Sequence, residues 1–226
     1  MSNIIHPTAV IGNNVILGDN NIIGAYTVID GPIEIGNNNY IGSHVVLGCD
    51  ATDTKHVNFD YKEPSVIIGD NNIIREFSLI EQPCYEEKTI VGNNVFIMQG
   101  VHISHDCHVN DDAVITNTSV LAGISKVLKG ANIAMGCTLN QYTVVGHYSI
   151  VATNAACMKN VKPFSRYIPN KPISVNHYAI QKFGFQEYSK EIEDYVIYDV
   201  SPNSKLIVSI IDEFNYWIEK YKRETY

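Results

Sequence analysis

The chain has 226 residues, 45% of them hydrophobic, and a formal net charge of -8 from 16 basic and 24 acidic side chains. That length supports one folded unit with a sizeable core. The acidic balance excludes a general binder of nucleic acid or anionic membrane, leaving room only for a local basic patch. Five scattered cysteines without a CxxC pair read as reduced thiols. The opening "MSNIIHPTAV" has neither the basic nor the apolar segment of a secretory leader, and no apolar run could span a bilayer, so a cytoplasmic protein is expected.

An aliphatic residue recurs at every sixth position from the start: Ile5, Ile11, Leu17, Ile23, Ile29, Ile35, Ile41 and Leu47. Glycine follows most of them. The polar stretch "GCDATDTKHVNFDYKEPSVI" then breaks the register and is expected to project as a loop over 49–67. Ile68, Ile74 and Ile80 resume the period, and "EQPCYEEKT" interrupts it again. A second run goes from Val91 through Ile97, Ile103, Val109, Ile115, Leu121, Val127, Ile133, Leu139 and Val145 to Val151, with a mostly small residue four positions after each.

A period of six fits neither the helical 3.6 nor simple alternation along a strand. It predicts a parallel β-helix, each hexad supplying one short strand and one turn, the aliphatic inward and the small residue in the corner. The solenoid should occupy residues 1–165, with a small helical region over 166–226. "KNVKPFSRYIPNKPI" follows the last hexads and is the most basic part of the chain. A helix is expected near Val175 to Val196. In a second helix, Leu206, Ile207, Ile210, Ile211, Phe214, Trp217, Ile218 and Tyr221 share one face, with Ser201-Pro202 as its start signal and the open solenoid end as the surface it caps.

"HISHDCHVND" places His102, His105 and His108 at three-residue spacing. With eighteen residues to a lap, the column neighbours of His102 are Cys84 and Val120, and those of His105 are Glu87 and Gly123. No histidine stacks on another, which disfavours a metal centre built by converging imidazoles. His105 at a turn, oriented by Asp106 or a nearby carbonyl, with the Gly123 N–H one lap away, has the minimum equipment for acyl transfer: a base and an oxyanion donor. A solvated turn histidine is the plain alternative.

The chain resembles the UDP-N-acetylglucosamine acyltransferase family of the lipid A pathway over residues 4 to 185. The likeness rests on "IIHPTAVIG", "GDNNIIREFSLI", "HISHDC" with "SVLAG" one lap on, and "VNHYAIQKFGF". It implies an all-β left-handed parallel β-helix of hexapeptide repeats, 18 residues to a triangular lap, with a small C-terminal α-helical region. It further implies a homotrimer with sites between subunits, His105 as general base, Asp106 as its orienting partner, His102 as a substrate contact and the Gly123 N–H as oxyanion donor. Asp60 and Lys62 in "DYKEP" resemble part of the family's acceptor-contacting loop.

Departures from the family's pattern point to a changed acceptor and acyl chain. Ile124 stands where the family has histidine, and Asn140-Gln141-Tyr142 replaces His-Gln-aromatic. Around Asn176, Tyr178 replaces an acidic residue and Lys182 lies near the family's arginine. Ala152-Thr153 replaces a Gly-Gly pair of the acyl groove, where added bulk would shorten the chain accepted. Lys159, Lys162, Arg166 and Lys171 are candidates for the phosphates of an acyl donor. The expected activity is transfer of an acyl group from acyl-CoA, or acyl-carrier protein, to the amino group of a nucleotide-linked sugar, with no resident cofactor or metal. The lipid A enzyme itself, using hydroxyacyl-carrier protein, is the alternative. From other classes stand a carbonic-anhydrase-like metal lyase and a non-catalytic trimeric scaffold.

Overall fold

The computed structural model describes residues 2–61 and 63–226. Short strands, parallel in all but one pairing, wind into three sheets, and up to Ala156–Cys157 each strand pairs with the third one before or after it. The first sheet has ten strands, from Ile4–Ile5 to Ser174–Val175. The second has eight, Val10–Ile11 to Ala156–Cys157, and the third seven, Val15–Leu17 to Val144–Val145. A regular lap takes 18 residues, so Ile97 pairs with Ile115 and Ile103 with Leu121. The hexad aliphatics fill the axis: Ile29, Ile41, Ile74, Ile97, Ile103, Val127 and Val145 have no exposed surface. Burying such a side chain contributes about 1.5–3 kcal/mol.

Polar residues also run through the stack. In the "GDNN" and "GNNN" turns, the Asn21 Oδ1 accepts the Asn39 N–H, Asn39 Oδ1 that of Asn72, and Asn72 Oδ1 that of Val95. These buried amides close the hydrogen-bonding accounts of the corners. One residue in most corners is left-handed. Asparagine, glycine or aspartate takes it most often, but aromatic residues such as Tyr26 and Phe77 do so too, as do the β-branched Thr118 and Ile124 at φ 58° and 68°, where the Cβ is strained.

The hexad register is recovered after both interruptions, with one local shift between Ile80 and Glu81, where Glu81 pairs with Cys49. Ile68 pairs with Ile35 across 33 residues, so the projecting loop adds fifteen to its lap. Val91 pairs with Ile68 across 23, so the second break adds five. This corrects the column assignment under the histidines. His102 pairs with Leu79, not Cys84, because the five extra residues fall between them. Val120 lies on its other side, as the period requires.

The solenoid runs slightly beyond residue 165. Ser165–Tyr167 pairs with Ile150–Val151, and Ser174–Val175 turns back antiparallel against it. The expected single helix from Val175 is two: α1 (His177–Lys182) and α2 (Ser189–Tyr198), separated by Gly184 at φ 80° and a 3₁₀ turn. A third helix, α3, spans Lys205–Tyr221 with Ser204, not Ser201, at its N-cap.

The axial core ends on Tyr167, Ile173 and Tyr226, with the Tyr167 and Tyr226 rings stacked at 4.1 Å, while α1 and α2 pack on the last corners between the third and first sheets. Tyr148 and Phe164 pack there with Phe185, Ile192 and Val196, joined by Ile207 and Ile211 from the start of α3. The rest of α3 does not cap the end as expected. It lies along the outer face of the third sheet, with Phe214 against Leu128 and Val144. Glu213 accepts from Asn110 at 3.0 Å and reaches His147 at 3.3 Å, and Trp217 meets the His108 ring edge-on at 5.4 Å.

Candidate active site

The corner joining the second and third sheets carries His105 and Asp106, and the next two laps bring Gly123 and then Asn140-Gln141 onto the same corner. His105 is only 4% exposed and Asp106 not at all. The His105 Nδ1–H donates to Asp106 Oδ2 at 2.7 Å. Because a carboxylate only accepts, this bond assigns the proton to Nδ1 and leaves Nε2 with a free lone pair. The ring lies against Gly123, whose Cα has no side chain to displace it. An added Cβ would stand 2.4 Å from Nε2. The Gly123 N–H donates to no acceptor among the described residues, whereas the following Ile124 N–H binds the His105 carbonyl at 2.9 Å.

Asp106 sits in a cup made by the second break. The N–H groups of Cys84, Tyr85 and Glu86 all point at its carboxylate, the last at 2.7 Å. Three successive main-chain donors form a nest around the carboxylate. Asp106 is itself left-handed at φ 60°, and its own N–H donates to Thr89 Oγ1 at 2.9 Å.

Glu81 is the second buried acid of the site. Its carboxylate accepts the His105 main-chain N–H at 3.0 Å and the His102 Nε2–H at 2.7 Å. It also accepts the Thr52 hydroxyl at 2.8 Å. Burial raises its pKa, but the bonds from His102 and Thr52 outweigh that and hold it below the ordinary carboxylate range. Burial alone would lower the pKa of His105. The hydrogen bond and charge of Asp106, with the charges of Glu81 and Asp53, more than offset it, and the net shift is upward.

The projecting loop folds back over this corner. The Tyr85 ring stacks on His105 at 5.5 Å between centroids, its hydroxyl donates to Asp53 at 2.9 Å, and Lys55 Nζ lies 4.1 Å above the same ring. Asp60 is exposed farther along the loop, and Lys62 lies outside the described residues.

The three histidines do not converge. His102 faces Glu81, His105 faces Asp106 and His108 faces Trp217. Among the described residues the one set of metal-ligand atoms within 4.8 Å of one another is Cys84, His105 and Asp106. These donors do not suit a cation. The Asp106 oxygens already accept from three amides and His105, and burial, with the charge of Asp106, pushes the Cys84 thiol up to about 12.

The other sequence-derived candidates scatter. Asn140 is half-buried with Oδ1 accepting the Gln141 N–H at 3.0 Å, and Gln141 is exposed. Asn176 is a structural residue. It caps α1 through the Ala179 N–H, and its side-chain amide donates to the Tyr148 carbonyl at 2.8 Å. Tyr178 and Lys182 are exposed on α1. Thr153 is exposed on the corner between the first and second sheets, a different edge of the prism from His105.

Nor do the four basic candidates all stand free to grip phosphate. Lys159 pairs with Glu224 at 2.6 Å and Lys162 with Asp199. Lys171 is exposed. Arg166 lines a groove of about 500 Å³ with Asn132, Asn176 and Tyr178. Sequence reasoning missed Glu81, Tyr85 and Glu86 in the break, and the wholly buried Lys126. The available signal was three acids in a nine-residue interruption and one lysine just ahead of an inward valine.

Residues 15–49 and 88–123 match the repeat family described as bacterial transferase hexapeptide (six repeats). An acyl-[acyl-carrier-protein]–UDP-N-acetylglucosamine O-acyltransferase of Thermodesulfovibrio yellowstonii is 32% identical over 53% of this chain and 46% of its own length. The enzyme of that name from Aliarcobacter butzleri is 38% identical over 54% of this chain and 53% of its own. The chain thus spans about half the length of the curated relatives it matches.

Among solved structures, a UDP-N-acetylglucosamine acyltransferase from Bacteroides fragilis superposes with a TM-score of 0.75 at 28% identity. The alignment covers 99% of this chain and 98% of that one. One from Campylobacter jejuni has a TM-score of 0.76 at 24% identity, covering 93% and 95%, and supports the fold alone. The fold is the left-handed parallel β-helix of hexapeptide repeats with a small C-terminal helical region.

Proposed function

We propose that the chain is an acyltransferase that moves an acyl group from a thioester donor to a nucleotide-linked sugar, with His105 as general base. The observation that carries this reading is the Asp106-held tautomer of His105, with a bare Nε2 against Gly123 and an unused main-chain N–H there. In the reaction, Nε2 takes the proton from the sugar's nucleophile as that atom bonds to the thioester carbonyl carbon. The Gly123 N–H donates to the oxyanion that forms. Collapse expels the donor's sulfur, which takes the proton back from His105, so the base is regenerated.

The relatives' names favour UDP-N-acetylglucosamine as acceptor and acyl-carrier protein as donor. Acceptance at an amine, with acyl-CoA as donor, is the second reading. It is favoured by Ile124 and Asn140, which put no imidazole where the family has two. Assembly as a homotrimer, with sites between copies, fits the exposed stack of Tyr26, His44 and Phe77 on the Thr153 corner, with rings 5.1 and 5.2 Å apart. A covering copy would also bring its own surface to corners that one chain keeps apart.

The test is a panel of acyl-CoAs and acyl-carrier proteins against UDP-N-acetylglucosamine and its 3-amino analogue, read by mass spectrometry. His105→Ala should slow the productive pair by about 10²–10⁴. An undiminished rate removes the base assignment.

A further inference from the structure

We infer that Lys126 and Glu86 are positioning residues, which lock the His105–Asp106 pair in register through the last turn of α3. The inference rests on the proposed role of His105 and extends it to groups that touch no substrate.

Lys126 is wholly buried, an unusual place for an ammonium. Its Nζ donates to the main-chain carbonyl of Asp106 at 2.8 Å and to Glu86 Oε2 at 2.8 Å. Glu86 in turn donates its N–H to Asp106 Oδ1. Its other carboxylate oxygen accepts from Lys220 Nζ and the Tyr221 hydroxyl, both at 2.8 Å. The Trp217 ring closes over the ammonium at 5.0 Å. Asp106 is therefore gripped at both ends. Its carbonyl is held from the next lap by Lys126, and its carboxylate from the break by the nest that Glu86 anchors.

Asp106 occupies the left-handed region, and a residue there keeps one side-chain direction only while its neighbours fix it. The ammonium that helps dock α3 thus also holds the carbonyl of the residue whose carboxylate binds the His105 ring.

The bland alternative is a buried ion pair that contributes stability alone. Removing one partner leaves a buried charge and destabilises, whereas removing both is far milder. The test therefore uses Lys126→Met, Glu86→Gln, the double variant, and Ile29→Ala as a core variant remote from the site. Three quantities are read: the thermal midpoint, turnover of the productive pair from the acyl panel, and the low-field Nδ1–H resonance of His105 in ¹⁵N-histidine-labelled protein.

Positioning predicts a ten- to hundredfold fall in kcat for Lys126→Met, with KM for the nucleotide sugar within twofold, and broadening of the His105 resonance. The double variant regains the midpoint but not the rate. Ile29→Ala loses midpoint and keeps rate. Recovery of both rate and resonance in the double variant would overturn the inference, as would an unaltered resonance in Lys126→Met. His105→Ala run in parallel separates the two failures. If it keeps full rate, the base assignment is wrong, and the resonance, which needs no substrate, still decides whether Lys126 and Glu86 hold the pair.

Discussion

Gly123→Ala is a small substitution with a large expected effect. The added Cβ would lie 2.2 Å from Cε1, 2.4 Å from Nε2 and 2.9 Å from Nδ1 of His105. Ordinary van der Waals contact begins at 3.4 Å, so the ring must retreat by about 1.2 Å at its closest atom. It has little freedom to do so, since Nδ1 is tied to Asp106 at 2.7 Å and the ring is stacked with Tyr85.

Gly123 is not in the left-handed region, so no backbone penalty accompanies the clash. Overpacking of this kind costs about 1–3 kcal/mol of stability, and a misplacement near 1 Å costs about 10² in rate. The variant should fold with a lowered thermal midpoint and turn over about a hundredfold more slowly under single-turnover conditions. Its His105 Nδ1–H resonance should weaken as the Asp106 bond lengthens. Turnover within twofold of the parent would show that the working ring does not lie over Gly123.

Two further outcomes follow from charge. A base must be neutral to act, and His105 is shifted upward by Asp106, so kcat/KM should fall on the acid side through a pKa above the ordinary imidazole value of about 6.5. An acid limb at or below that value in the pH–rate profile would contradict the geometry. Undocking of α3 should also be acid-driven, followed by the fluorescence of Trp217, the single tryptophan. Burial raises the Glu86 pKa, but Lys126 and Lys220 outweigh it and hold it at about 2 against an ordinary 4.5. Its stabilisation is complete above 4.5 and lost as pH falls toward 2. Burial, with the charge of Lys126, holds His108 at about 4 against 6.5, so the unfolded chain takes that proton first and stability falls as pH drops through this window. Each effect is of order 3 kcal/mol; fluorescence unchanged from pH 7 to 3 would refute the docking role.

The solenoid was legible because a β-helix writes one column position every six residues, and nothing in the core overrides it. Ile97 and Ile115 could be paired by counting alone. The same counting failed at His102, since a break hides how many residues its lap absorbs. It also could not find the cup around Asp106, which is made of main-chain N–H groups that carry no side-chain signature. Lys126, Glu86 and Tyr221 are 40 and 135 residues apart in their contacts and meet only because α3 lies flat against the third sheet. That placement was misjudged because an amphipathic face shows that a helix packs, not which surface receives it. Asn176 misled for a related reason: a polar residue in a motif looks available until its cap and its carbonyl partner are seen.

The 23-residue lap has a consequence for how such a scaffold diversifies. Pairing resumes immediately on both sides of the five surplus residues, so the frame does not record how long the excursion is. Chain-closure entropy grows only by about 0.6 kcal/mol per doubling of a flexible loop. Length polymorphism at this one point is thus nearly neutral for folding while it rewrites the roof and walls around the imidazole, and chemistry can drift there without the prism being rebuilt.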